Sequence, residues 1–341
     1  MSAIVETRNL TRRYGDTLAL DHLNLQIPEG AIFGFIGPNG AGKTTTMRIL
    51  TTLLLPTSGE AWVAGCSVLK ESRAVRKLLG FMPDFFGVYD NMKSWEYLDF
   101  FGRAYGVPPP RRASAIGELL DLVDLGHKRD DFVMNLSRGM KQRLSLARTM
   151  IHDPKLLILD EPASGLDPRA RIELRELLKE LRALGKTIMI SSHILTELAE
   201  MCTHIAIIER GKLLASGDVQ TIMRSLQPHR TLELRILAEA MRARELLHGY
   251  AGVLSIRRAG MLDDTSAAVD HTELPETHAP AAPAPAPDEP LTLLIDYSGD
   301  ERGMGDLLTL LISNGVVVSR FSEQSSDLED IFMQVTKGIV Q

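Results

Sequence analysis

The stretch Gly37-Pro38-Asn39-Gly40-Ala41-Gly42-Lys43-Thr44-Thr45 decides how this chain is read. It fits G-x-x-x-x-G-K-[ST], in which glycines let a loop curl until backbone N–H groups converge on phosphate oxygens. An apolar run over residues 31–36 leads into it. Helical spacing follows over residues 43–54, and Pro56 is expected to stop that helix. Strand, loop and helix in this order are what the loop requires, because the helix adds its positive N-terminal end to the cradle. Lys43 is placed to reach the β- and γ-phosphates of a nucleoside triphosphate, and Thr44 to put its hydroxyl on Mg²⁺.

Outward from the loop, a second element of the same chemistry is Leu156-Leu157-Ile158-Leu159-Asp160-Glu161-Pro162. An apolar strand there delivers two carboxylates at its C-terminal end, where open parallel sheets bind ligands. Asp160 is placed to hold Mg²⁺, and Glu161, one residue on, to polarise an attacking water. An acidic pair alone is a weak signal, since solvated turns look similar; after a phosphate loop it is a strong one. Between the two elements lies Leu136-Ser137-Arg138-Gly139-Met140-Lys141-Gln142-Arg143, which opens a helix. Ser137 is a natural N-cap and Gly139 permits close backbone approach. Met140, Leu144, Ala147 and Ile151 share one face of it.

Together these residues resemble the nucleotide-binding subunits of ABC transporters. The resemblance implies a P-loop NTPase fold: a RecA-like parallel-sheet core with a helical subdomain and N-terminal antiparallel strands. It implies ATP and Mg²⁺ as ligands, and ATP hydrolysis by Lys43, Glu161 and His193, the last resembling the family's switch histidine. Gly37, Pro38, Asn39, Gly40, Ala41, Gly42, Lys43, Thr44 and Thr45 would bind the phosphates. The capped helix matches the family's signature motif, present here as LSRGM, in which Ser137 and Gly139 contact ATP held by the opposite monomer. Arg138 replaces the usual first glycine; it either adds charge to the site or faces solvent. Tyr14 falls where the family stacks an aromatic ring on adenine, with a simple packed tyrosine as the other reading. Residues 164–167 (Ser-Gly-Leu-Asp) look like the D-loop, which crosses the dimer interface. Asp84 stands where similar proteins carry glutamine, and either joins the Mg²⁺ ligands Thr44 and Asp160 or is an ordinary loop aspartate. The aromatic stretch from Phe85 to Tyr89 lies where the family docks its membrane partner.

The same resemblance implies a homodimer or heterodimer of ATP-binding subunits, bound to a separate integral membrane permease. The localisation that follows is cytoplasmic and peripheral, on the inner face of the cell membrane. No segment has the ~18 uninterrupted apolar residues of a spanning helix, and the start of the chain lacks the pattern of a signal peptide. A formal charge of -6 argues against a nucleic-acid partner. Cys66 and Cys202 read as small apolar side chains in a reducing compartment.

Strand–helix alternation over residues 1–226 is interrupted by helix after helix at about 94–152, a helical subdomain inside a parallel-sheet domain. Leu174, Leu177, Leu178, Leu181 and Leu184 mark one apolar helical face. Residues 231–341 begin a second domain ordered βαββαβ plus a final helix, which suggests a small α+β ferredoxin-like sandwich. An Ala/Pro-rich loop over about 275–290 interrupts it. The ending Asp327-Leu328-Glu329-Asp330-Ile331-Phe332 resembles the tail of drug- and polymer-export ATPases, which favours export. Two other functions compete. One is a soluble ABC-type ATPase of translation or DNA repair, which would carry two such domains or a long coiled coil; the other is a non-catalytic nucleotide sensor.

Overall fold

The computed structural model describes residues 2–84, 89, 91–194, 198, 201–226, 230–258 and 290–324. It divides into two compact units that part between Met223 and Arg224.

In the first unit β1 (Ala3–Tyr14), β2 (Thr17–Leu23) and β3 (Gln26–Pro28) precede β4 (Ile32–Ile36) and α1 (Lys43–Leu50). Then follow β5 (Ser58–Val63), β6 (Cys66–Ser67), α2 (Ser72–Leu78) and β7 (Leu79–Met82). Three helices come next: α3 (Ser94–Ala104), α4 (Pro109–Leu122) and α5 (Arg138–Met150). The unit closes with β8 (Leu156–Leu159), α6 (Pro168–Ala183), β9 (Thr187–Ser192), β10 (His204–Glu209), β11 (Lys212–Asp218) and α7 (Val219–Leu226).

A six-stranded sheet runs β11-β10-β4-β9-β8-β7, parallel except for β11. Every residue of β4, β8 and β9 is buried, which explains why these strands read as continuous apolar runs rather than alternating ones. A five-stranded antiparallel sheet, β2-β1-β5-β6 with β3 on β1, carries the N-terminal strands. One core joins the sheets: Val5, Leu10 and Val63 pack with Phe33, Phe35 and Ile158, and with Met47 and Ile49 of α1. The C-terminal ends of β4, β9, β8 and β7 therefore lie side by side, with α1 rising from the first of them. Helices α3, α4 and α5 pack on one another. Asp99 of α3 accepts from Arg103 at 2.7 Å and from Arg112 of α4 at 2.5 Å, and these two cations outweigh the effect of burial to hold its pKa below the ordinary carboxylate range.

Two local expectations are corrected. Helix α1 ends at Leu50, not Leu54. Thr52 turns to φ +63° and the Leu53 and Leu54 N–H groups both donate to the Arg48 carbonyl, so the chain stops its own helix before Pro56. Leu184 leaves the apolar face of α6 because that helix ends at Ala183; it is exposed, while Leu174, Leu177, Leu178 and Leu181 are buried.

The second unit contains β12 (Arg230–Ala238), α8 (Ala240–His248), β13 (Val253–Arg258), β14 (Leu291–Tyr297), α9 (Glu301–Ser313) and β15 (Val317–Gln324). Its sheet runs β13-β14-β12-β15, antiparallel throughout, so βαββαβ order becomes the ferredoxin-like strand arrangement. Leu232, Leu234, Leu293 and Ile295 meet Leu247, Leu307 and Leu311 of the two helices. The Ala/Pro-rich loop at 275–290, most of the docking stretch 85–89 and the ending at 327–332 lie outside the described residues.

Candidate functional site

In the loop between β4 and α1 the Gly37 and Ala41 N–H groups donate to the Ser192 and Pro38 carbonyls, at 3.3 and 3.1 Å, and the start of the helix beyond them is open to a ligand. Gly42 occupies the N-cap of α1 at φ +111°, where no side chain caps the first turn. A Cβ there would lie 2.7 Å from the Ala19 carbonyl oxygen, so glycine is required by both angle and space. Lys43 follows, 6% exposed, with Nζ donating to the Gly37 and Pro38 carbonyls at 2.6 and 3.3 Å. A buried ammonium is costly without a counter-charge, and Glu161 supplies one, Oε1 at 3.6 Å. Burial pulls the Lys43 pKa down, and Glu161 and then Asp160 partly restore it.

The carboxylates arrive from β8, which lies two strands from β4. Asp160 is 3% exposed and accepts from two hydroxyls, Thr44 Oγ1 at 3.0 Å and Ser191 Oγ at 2.6 Å. Glu161 turns at φ +49°, its N–H donating to Ser191 Oγ at 2.8 Å, and this turn aims its carboxylate at Lys43 rather than along the strand. His193, just past β9, approaches from the other side with Nδ1 at 3.0 Å from Glu161 Oε2; against a carboxylate that nitrogen is the donor.

Lys43, Thr44, Asp160, Glu161 and His193 are thus brought into one hydrogen-bonded cluster at the strand ends. Sequence reasoning missed Ser191, which binds the Asp160 carboxylate and the Glu161 backbone N–H. The available signal was a small hydroxyl at the end of an otherwise apolar strand. Tyr14 ends β1 exposed, with the Arg12 guanidinium 4.5 Å from its ring centroid, so one face is covered by a cation. Asp84 is exposed two residues beyond β7, whose last residue Met82 pairs with Leu159. Ser137 caps α5 through the Met140 N–H at 3.3 Å. Among the described residues, no hydrogen bond of the Lys43 cluster reaches Ser137 or Gly139.

A buried cation, uncapped helix N–H groups and a glycine-lined loop suit an oligophosphate. The Thr44 hydroxyl beside the Asp160 carboxylate offers the hard oxygens that Mg²⁺ takes alongside phosphate oxygens. Glu161, held between a lysine and a histidine, is disposed to accept a proton from a water at a terminal phosphate.

Comparison with known proteins agrees. The profile of the ABC transporter family matches residues 20–164. The Nod factor export ATP-binding protein I of Cupriavidus metallidurans is 36% identical over 292 residues, covering 77% of this chain and 96% of that protein. The chain is an ABC transporter ATP-binding protein. The bacitracin transport ATP-binding protein BcrA of Bacillus licheniformis is 42% identical over 215 residues, 63% of this chain and 69% of that one. Among solved structures, an ATP-binding subunit of an ABC transporter aligns with TM-score 0.60 and 28% identity, over 65% of this chain and 92% of its own. The cbiO1 protein of Clostridium perfringens, part of the cbiONQ complex, aligns with TM-score 0.59 and 25% identity, over 67% and 95%. As in its family, the chain binds and hydrolyses ATP to drive transport, dimerises and works with a membrane permease. No helix among the described residues is long and apolar enough to cross a membrane.

Proposed function

We propose that this chain is the motor of an ATP-driven exporter, held peripherally on the inner face of the cell membrane by a separate permease. The observation that carries the catalytic part is the cluster in which Glu161 faces both Lys43 and His193 while Asp160 holds Thr44. In this reading residues 1–226 form the ATP-binding domain and 231–341 an accessory domain. Residues 37–45 bind the phosphates of ATP, through Lys43 and the N–H groups at the start of α1, and Tyr14 stacks on the adenine. Thr44 and Asp160, with Asp84 at the neighbouring strand end, would hold Mg²⁺, which would supply charge neutralisation of the phosphates. Glu161 polarises the attacking water, and His193 holds Glu161 and contacts the γ-phosphate.

Two copies, or this chain and a sister subunit, enclose ATP between one phosphate loop and the opposing Ser137 and Gly139. A helix N-terminus aimed at a triphosphate favours the closed pair, and loss of the γ-phosphate removes that preference. Export is supported by the named relatives, one a Nod factor export protein and another a bacitracin transport protein. Both are transport proteins, so the translation or DNA-repair reading is set aside.

Mild detergent extraction of membranes containing the tagged chain tests the proposal. A polytopic membrane protein should co-purify, and the complex should release phosphate from ATP only with Mg²⁺. Recovery with ribosomes or DNA in soluble fractions alone would defeat it.

A further inference from the structure

Arg138 opens α5 where the signature motif has glycine, and the structure gives its side chain a partner within its own chain. Its Nη2 donates to the Ser164 carbonyl at 3.2 Å. Its guanidinium lies so close to Gly165, itself at φ +68°, that a Cβ on that residue would meet it at 2.5–2.6 Å. Next to it, a Cβ on Gly139 would stand 3.8 Å from Leu166 Cδ2. The start of α5 and the stretch 164–167 are therefore in contact at consecutive residues.

That stretch is tied at both ends to what matters for turnover. The Ser164 N–H donates to the Glu161 carbonyl at 3.0 Å, and Asp167 caps α6 through the Ala170 N–H at 2.8 Å. An open pocket of about 340 Å³ lies between this stretch and the start of α5, lined by Arg138, Gly139, Gly165 and Leu166 together with Leu146 and Leu174. Dense packing is what normally fixes backbone from below. Where the stretch borders that pocket its packing is interrupted, and Arg138 bonds it there through the Ser164 carbonyl, as Arg171 does through the Leu166 carbonyl.

We propose that Arg138 is a positioning residue that ties the start of α5 to residues 164–167, so that phosphate binding at α5 is transmitted to Glu161. The inference rests on the reading in which α5 meets ATP held by the partner. Arg138 then connects the nucleotide of one site to the catalytic carboxylate of the other, and turnover at the two sites is coupled. A guanidinium suits the task because its planar fork can donate to a carbonyl while lying against a glycine, whereas lysine offers a single point charge. Spatial contact alone does not establish coupling, so the test must read coupling itself.

The full-length chain, co-purified with its permease, is compared with Arg138→Ala and Arg138→Lys. Steady-state hydrolysis is measured against ATP concentration, and a fluorescent ATP analogue reports binding to the chain alone. Expected are an unchanged affinity for the analogue, a Hill coefficient falling from above one to one, and a kcat loss of roughly two- to thirtyfold. Lysine should not rescue these losses. A raised KM that lysine restores would make Arg138 a simple cation on the partner's phosphate and overturn the proposal. So would unchanged cooperativity and kcat, or a starting complex without cooperativity. A Glu161→Gln chain that binds MgATP but never pairs would instead remove the parent reading, and this inference with it.

Discussion

Ser191→Ala is the perturbation whose consequences the structure defines most fully. The hydroxyl is completely buried, donates to Asp160 Oδ1 at 2.6 Å and accepts from the Glu161 N–H at 2.8 Å. Its removal leaves a carboxylate oxygen and a peptide N–H short of a partner in a closed site. A hydrogen bond to a charged group contributes about 1.5–3 kcal/mol and a neutral one about 0.5–1.5, so the summed loss is about 2–4.5 kcal/mol. For a unit of this size that lowers the melting temperature by roughly 4–18 °C. The kinetic loss has a different origin. Glu161 stands at φ +49° and depends on Ser191 to hold its turn, and a displacement of the order of 1 Å in a reacting group costs up to about 10²-fold. Calorimetry and phosphate release on the same preparation separate the two effects. Melting within a degree of the parent, together with kcat within twofold, would refute the claim that this hydroxyl positions both carboxylates.

Glu161→Gln should retain ATP binding, since the triphosphate replaces the carboxylate as counter-charge to Lys43, while hydrolysis falls about 10²–10⁴-fold, the usual worth of a positioned base; phosphate release and equilibrium nucleotide binding check this together. Tyr14→Ala should weaken ATP and ADP equally by about 1–3 kcal/mol, the range for stacking on a base, and unequal losses measured by calorimetric titration would argue against adenine contact. In the second unit, burial raises the Asp296 pKa, but Ser255, Arg257 and Thr231 outweigh it, and the folded value lies below the ordinary one. The stability this confers is present above the ordinary carboxylate value and disappears as pH falls through the folded one. Acid titration of Asp296→Asn should show that portion of the pH dependence missing from the unfolding of this unit.

Local signals revealed the parts of the site whose chemistry is contiguous in sequence. The phosphate loop, the acidic end of β8 and the Ser137 cap each occupy a few consecutive residues, and the βαββαβ order of the second unit emerged from apolar spacing. Contacts between distant residues were not legible. Thr44 and Asp160 are 116 positions apart, and Ser191 reaches the Glu161 N–H across 30 and the Asp160 carboxylate across 31. No periodicity records that β8 and β9 lie side by side; that follows from sheet order, which burial on both faces makes uniform in sequence. Arg138 shows the limit well. Its sequence position left open charge in the site or exposure to solvent; the residue is exposed, and its guanidinium also lies against Gly165, a contact beyond the reach of local pattern. The end of α1 is hidden for a related reason: the left-handed turn at Thr52 stops the helix, and no local spacing marks it as Pro56 marks a break.

The most direct measurement is sedimentation velocity on the full-length Glu161→Gln chain, alone and with the sister ATP-binding subunit that co-purifies, with and without saturating MgATP. Nucleotide should move the 37.6 kDa chain into a species holding two ATP-binding subunits, and chelation of Mg²⁺ should release it. A chain that stays at single-subunit mass while demonstrably carrying MgATP would contradict the account at its centre.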